Sequence, residues 1–139
     1  MIKFTIPGKP KALKRHRSTR NGRMYDPSAK DKNEMWLQIA EFRPKLPYAG
    51  DIYLKLQFFM PRPKHHFKTK NGKPTDIVKE KYEKIKLHSF KPDLDNLIKM
   101  ICDTVQGKDR MIIDDSQICW LSAVKQYGEP RTEIAIEEI

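Results

Sequence analysis

Cysteine, glycine and long apolar runs are all scarce in this chain, and each shortage excludes something. The two cysteines, Cys102 and Cys119, lie inside apolar stretches and form no CxxC pair, so they read as reduced core thiols of a cytoplasmic protein. Six glycines in 139 residues leave no phosphate-cradling loop, and no Ser/His/Asp order points to a covalent nucleophile. No apolar run approaches the ~18 residues that span a bilayer. The opening Met1–Pro7 lacks the apolar stretch of a secretion signal. Neither membrane insertion nor Sec-type export is therefore expected. Apolar content of 38% and a mean hydropathy of −0.74 still allow one core, and the length suits a single domain over residues 1–139.

Positive charge is what the chain has in excess. Lys and Arg number 28 against 18 Asp and Glu, for a net charge of +10 and a pI near 9.6. The excess is uneven. Residues 1–90 hold 22 basic and 8 acidic side chains, a net +14, whereas residues 91–139 hold 6 and 10, a net −4. A basic body with an acidic end fits a DNA-binding surface, a membrane-surface patch, or solvated faces with no partner. One basic loop, residues 9–23, carries seven Lys/Arg and no acid, among them Lys11, Lys14, Arg15, Arg17, Arg20 and Arg23. A basic insertion over residues 61–91 brings Lys64, Lys68, Lys70 and Lys91. Aromatics among these cations, Tyr25 and Phe67, suit phosphate contact and base stacking.

Hydrophobic periodicity gives a coarse α+β reading, a small mixed sheet with two main helices in the order β-α-β-(long loop)-α-β-β. Residues 2–6 alternate and stop at Pro7-Gly8. Asp26 can cap a helix with Pro27 in its first position, running to about Arg43 and burying Met35, Trp36, Ile39, Ala40 and Phe42. Residues 52–60 form the clearest strand, with Ile52, Leu54, Leu56, Phe58 and Met60 on one face. Residues 61–92 read as a long loop, with a helical turn or two somewhere from Thr75 to Leu87. Leu94, Leu97, Ile98, Ile101 and Val105 form one helical stripe that starts at Asp93 and ends before Gly107. Strands at about 117–126 and 132–138 close the chain.

The chemistry concentrates in the acidic end. Asp95, Lys99 and Asp103 are spaced i, i+4, i+8 and share a helix face opposite the apolar stripe. Asp93 joins Asp95 at the helix start, where anionic side chains are favoured. A capped helix with one ion pair would account for these four residues alone. Clustered carboxylates in an otherwise basic chain point further, to a divalent cation. Two carboxylates in three residues repel each other unless a cation lies between them, and Asp114-Asp115 adds a second pair. Oxygen donors without a Cys or His pattern select Mg²⁺ or Mn²⁺.

The segment KPDLDNLIKMICDTVQG with the following IIDDSQI resembles the signature of RusA-type Holliday-junction resolvases, small endonucleases often carried by prophages. The likeness runs from the first strand through the basic loop to the last strand. The resemblance implies an α+β homodimer that makes paired symmetric nicks in four-way DNA junctions during recombination and repair. It implies catalysis by Asp93, Asp95, Lys99 and Asp115, with the three aspartates holding Mg²⁺ and Mn²⁺ able to replace it. Asp103 and Asp114 are then supporting or solvated carboxylates. Lys99 stays open between a catalytic cation and a salt bridge to Asp95 or Asp103, and Asn96 between a supporting donor and a helix-start residue. His65 and His66 read as phosphate-facing or solvated, Trp36 and Trp120 as core, and Gly72 as a turn residue. The rival readings are a DNA-binding protein without catalysis and a nuclease of the same fold acting on forks or flaps.

Overall fold

The computed structural model describes residues 1–139. Strand β1 (Ile2–Pro7) leads into the basic loop, whose tip is a short ribbon of β2 (Arg17–Ser18) and β3 (Met24–Tyr25). Helix α1 (Ala29–Ile39) follows and tightens into a 3₁₀ turn, Ala40–Phe42, before Pro44. It starts later than the Asp-Pro pair predicts. The Asp26 carboxylate accepts the Ser28 N–H at 2.9 Å and a lysine ammonium, so it builds the turn before the helix instead of capping it. Phe42 also departs from expectation: it is 40% exposed and stacks on Phe4 at the edge of the core.

Strand β4 (Ile52–Met60) shows why alternation is legible. Its five inward residues, Ile52, Leu54, Leu56, Phe58 and Met60, are all at most 1% exposed. It pairs in parallel with β7 (Ile118–Tyr127) and antiparallel with β8 (Arg131–Glu138), giving a four-stranded sheet in the order β1-β8-β4-β7. Helices α1 and α3 (Leu94–Val105) contact each other and cover one face of that sheet. Leu97, Met100, Ile101 and Val105 of α3 meet Ile39, Leu54, Leu56, Ile134 and Ile136 in one core. Truncating such a residue to alanine costs about 2–5 kcal/mol, because the neighbours close the cavity only in part. The α+β class is as expected. No helix is long and apolar enough to cross a membrane.

Residues 61–92 are more ordered than a loop. They contain a hairpin of β5 (Phe67–Lys70) and β6 (Lys73–Val78), turned at Asn71-Gly72, and one short helix α2 (Glu80–Glu83). The expected helical turns from Thr75 therefore shrink to four residues, since 73–78 is taken by the hairpin. Both turn residues have positive φ, 53° and 74°, the conformation an Asn-Gly pair adopts at low cost. The Arg62 guanidinium ties the segment together, donating to the carbonyls of Tyr82 (3.2 Å) and Ile85 (2.9 Å) and lying over the Tyr127 ring.

His66 corrects the reading of the two histidines. It is buried, stacked on Tyr82 at 4.2 Å, and 3.3 Å from the Arg62 guanidinium through Nδ1. Burial, then the nearby His65, Arg62 and Lys79, hold its pKa below the ordinary value. His65 stays exposed.

Residues Lys86 and His88 pair with Tyr127 and Lys125 along the end of β7. The rest of that outer edge, Ile118–Val124, has no strand beside it and no charged residue. This edge position corrects two further expectations. Cys119 is exposed and Trp120 is 59% exposed against Tyr53, because a strand at a sheet edge does not bury both of its faces. Trp36 is half-buried beneath Arg110.

Candidate active site

Helix α3 organises the acidic residues. The chain is extended at Asp93 (φ −69°, ψ 143°) and turns helical at Leu94. The Asp93 side chain makes no capping bond; Lys91 holds it instead, with Nζ 3.0 Å from Oδ1 and 3.1 Å from Oδ2. Asp95, in the first turn, and Lys99, one turn later, are exposed, and neither enters an ion pair. Of the two alternatives for Lys99, the salt bridge to Asp95 or Asp103 is therefore not formed.

Asp115 reaches the same helix from the other end. Beyond Gly107 (φ 131°) the chain folds back, with the N–H groups of Met111 and Ile112 both donating to the Val105 carbonyl. The Asp115 N–H then donates to Gln106 Oε1 at 2.9 Å. Its negative charge is felt at Cys102, whose thiol is pushed up to about 11, first by burial and then by Asp115 and Asp103. Asp95, Lys99, Cys102 and Gln106 recur at intervals of four, three and four residues, so they lie on one side of α3. The carboxylates thus mark the two ends of one strip, with the Lys99 ammonium between them.

The two residues of the Asp114-Asp115 pair are used differently. Asp114 turns into the backbone: its carboxylate accepts the Ser116 N–H at 3.0 Å, and these bonds hold its pKa below the usual range. Gln117 closes the turn by accepting the N–H groups of Ile113 and Asp114. It also donates to the carbonyls of Tyr48 and Gly50, which fixes the turn to the body of the protein. The Asp115 carboxylate accepts no such bond and is exposed. Asp103 is committed elsewhere, 3.4 Å from Lys32, which also contacts Asp26 at 2.6 Å.

No three His, Cys, Asp or Glu side chains lie close enough to form a ready metal cage. The donors nevertheless fit a hard divalent cation of the kind that keeps several waters. Such ions take one or two carboxylates and complete their shell with substrate phosphate.

Of the predicted cationic residues, Lys14, Arg15, Arg17, Arg20, Arg23, Lys64, Lys68 and Lys70 are exposed and unpaired. Lys11 is drawn to Asp31 and Glu34, and Lys91 to Asp93. The basic loop is anchored beside the site, with the Leu13 N–H on the Asn96 carbonyl and the Lys14 N–H on Ser28 Oγ. Lys125 was not singled out from the sequence. Its Nζ lies 2.5 Å from the Phe90 carbonyl oxygen and 2.6 Å from that of Pro92, pinning the lead into α3 to strand β7. The available signal was the lone charge in a largely apolar strand.

Comparison with known proteins supplies the family. Residues 7–137 match the family model for endodeoxyribonuclease RusA. A protein of Lactococcus phage r1t, described as crossover junction endodeoxyribonuclease rusA, is 36% identical over 118 residues. The match covers 83% of this chain and 77% of that relative. A family match across nearly the whole chain and a relative sharing more than a third of its residues lead to one conclusion: the chain belongs to the RusA family of endodeoxyribonucleases.

Proposed function

We propose that the chain resolves four-way DNA junctions as a Mg²⁺-dependent homodimer, making paired symmetric nicks in recombination and repair. The observation that carries this reading is the strip on α3: exposed carboxylates at both ends, an unpaired lysine between them, and a basic loop tied to the helix start through Leu13 and Asn96. Asp93, Asp95 and Asp115 would be drawn together on the ion, since the three carboxylates do not converge by themselves, with Mn²⁺ able to replace Mg²⁺. When bound, the metal polarises a phosphoryl oxygen and lowers the pKa of a coordinated water. The Lys99 ammonium neutralises charge that develops on the phosphate under attack, a role its freedom from ion pairs leaves open. Lys91, paired with Asp93, would be free to contact DNA phosphate with that carboxylate committed to an ion. Exposed cations of loop 9–23 and of residues 61–70 track the DNA backbone and set affinity more than rate.

Two copies match the approximate two-fold symmetry of a junction, since resolution needs a cut on each of two opposed strands. The unpaired, uncharged edge Ile118–Val124 offers a +10 chain a surface on which a second copy can approach without repulsion. The test is a nicking assay in Mg²⁺ on an immobile four-way junction, beside a fork, a flap and a matched duplex. Symmetric paired nicks confined to the junction are expected. Preferential cutting of forks or flaps would reassign the substrate, and binding without metal-dependent cutting of any DNA would remove the nuclease reading.

A further inference from the structure

Phe90 is an aromatic side chain held out into solvent three residues before Asp93. The residue is 67% exposed, and its ring meets the edge of His88, with centroids 6.1 Å apart. Single exposed apolar side chains are ordinary on protein surfaces, and Leu37 on α1 is more exposed still at 77%. Two features set Phe90 apart. First, its backbone is fixed. Lys125 Nζ binds the carbonyls of Phe90 and Pro92, while the Lys125 carbonyl accepts the His88 N–H at 3.0 Å. A ring on a pinned backbone loses little further entropy when it makes a contact. Second, its setting is cationic. Between Glu83 and Asp93 the charged residues are Lys84, Lys86 and Lys91, with no acid among them.

A rigid aromatic face among cations, beside carboxylates that act on a phosphodiester, is the chemistry that holds an unstacked nucleotide base. We infer that Phe90 stacks on a base next to the scissile phosphate, one that is unpaired or weakly paired at the branch point; this rests on the nuclease reading above. The stack contributes free energy that offsets the cost of unpairing, least where the base is already poorly stacked. Regular duplex keeps every base face covered, so Phe90 discriminates against it without reading sequence. Lys125 is the positioning residue, setting the height of the ring relative to Asp93.

The experiment uses the full chain in chelator with a four-way junction carrying 2-aminopurine at the branch point. Wild-type protein at saturation should change the probe's fluorescence, and Leu37→Ala should match it. Phe90→Ala, at concentrations where anisotropy shows the junction fully bound, should leave the signal at the free-junction level. Phe90→Trp should restore the change. Junction affinity should fall about tenfold in Phe90→Ala, with duplex affinity unchanged. No wild-type signal, or an equal signal from Phe90→Ala, overturns the assignment. If wild type also nicks junctions in Mg²⁺, only the role of Phe90 falls. If wild type neither binds nor nicks branched DNA, the nuclease reading falls with it.

Discussion

Two groups of aspartates flank the same pair of helices, and they are treated in opposite ways. Asp26 and Asp103 share Lys32, at 2.6 and 3.4 Å, and all three side chains are only 20–25% exposed. The pairing holds the Asp26 carboxyl below its ordinary range. Burial alone would lower Lys32, but its hydrogen bond to Asp26 and the charge of Asp103 raise it instead. Asp95 and Asp115, on the strip, have no cation within 4.0 Å, and Asp93 has one exposed lysine that solvent screens. Where the chain supplies its own counter-charge, aspartates act as joints between elements. Where it withholds one, they are available to an ion and a phosphate from solution. The difference lies in which lysines the fold spends, since the residue types are the same.

The largest effects should break the comparison on the strip. Asp115→Asn should lower junction nicking in excess Mg²⁺ by about 100-fold or more, because the lost carboxylate acts on transition-state charge. Thermal stability should hardly change, and junction binding in chelator should persist or tighten. Asp93→Asn and Asp95→Asn should behave alike. Asp114→Asn should instead keep most nicking, and its amide oxygen can still accept the Ser116 N–H, so stability should hardly change either. Normal nicking by Asp115→Asn beside an inactive Asp114→Asn would exchange the two roles.

Next in size is the joint. Lys32→Met leaves Asp26 and Asp103 half-buried without their cation and should cost about 2 kcal/mol in urea unfolding. Nicking by the folded variant at saturating protein should stay within a fewfold of wild type. A large loss of rate without loss of stability would place Lys32 in the active site instead.

The smallest effect concerns the histidines of the insertion. Burial, and then neighbouring cations, lower the pKa of both His66 and His88, so the unfolded chain binds these protons first. Their contribution is intact above the ordinary histidine value near 6.5 and is lost as pH falls through the depressed folded values. Amide exchange across residues 61–90 should therefore accelerate on acidification from about pH 7.5 to about 5.5, beyond the intrinsic change, while α3 stays protected. Equal loosening of α3 would show that the insertion and the site open as one unit.

The elements that were legible are those whose burial follows a local period. Strand β4 and helix α3 announce themselves because one face of each packs the core, and Met100 was missed only because it lies at the margin of the stripe. The four proposed catalytic positions were legible as a motif, whereas the choice of Asp115 over Asp114 came from the family resemblance and not from the local pattern. The difference between the two depends on Ser116 and Gln117 closing a turn against Tyr48 and Gly50, far away in sequence. Residues 61–92 hid their order for the same reason: Arg62 reaches carbonyls about twenty residues away, and His66 packs on Tyr82 and Tyr127. Asn71-Gly72 was a usable hairpin signal within that stretch. The exposure of Cys119 and Trp120 could not be read, since apolar residues on both faces of a strand do not reveal that it lies at an edge.

The return of the chain beyond Gly107 has a consequence for how the protein can change over time. Asp93, Asp95, Lys99 and Asp115 all lie within one short stretch, closed by the bonds from Met111 and Ile112 to Val105 and from Asp115 to Gln106. Closing so short a loop costs little chain entropy, and its contacts are local. The proposed cutting apparatus is thus a nearly self-contained cassette. The hairpin insertion and the basic loop can be lengthened, trimmed or recharged around it, so a descendant can acquire a new DNA preference without re-inventing its chemistry.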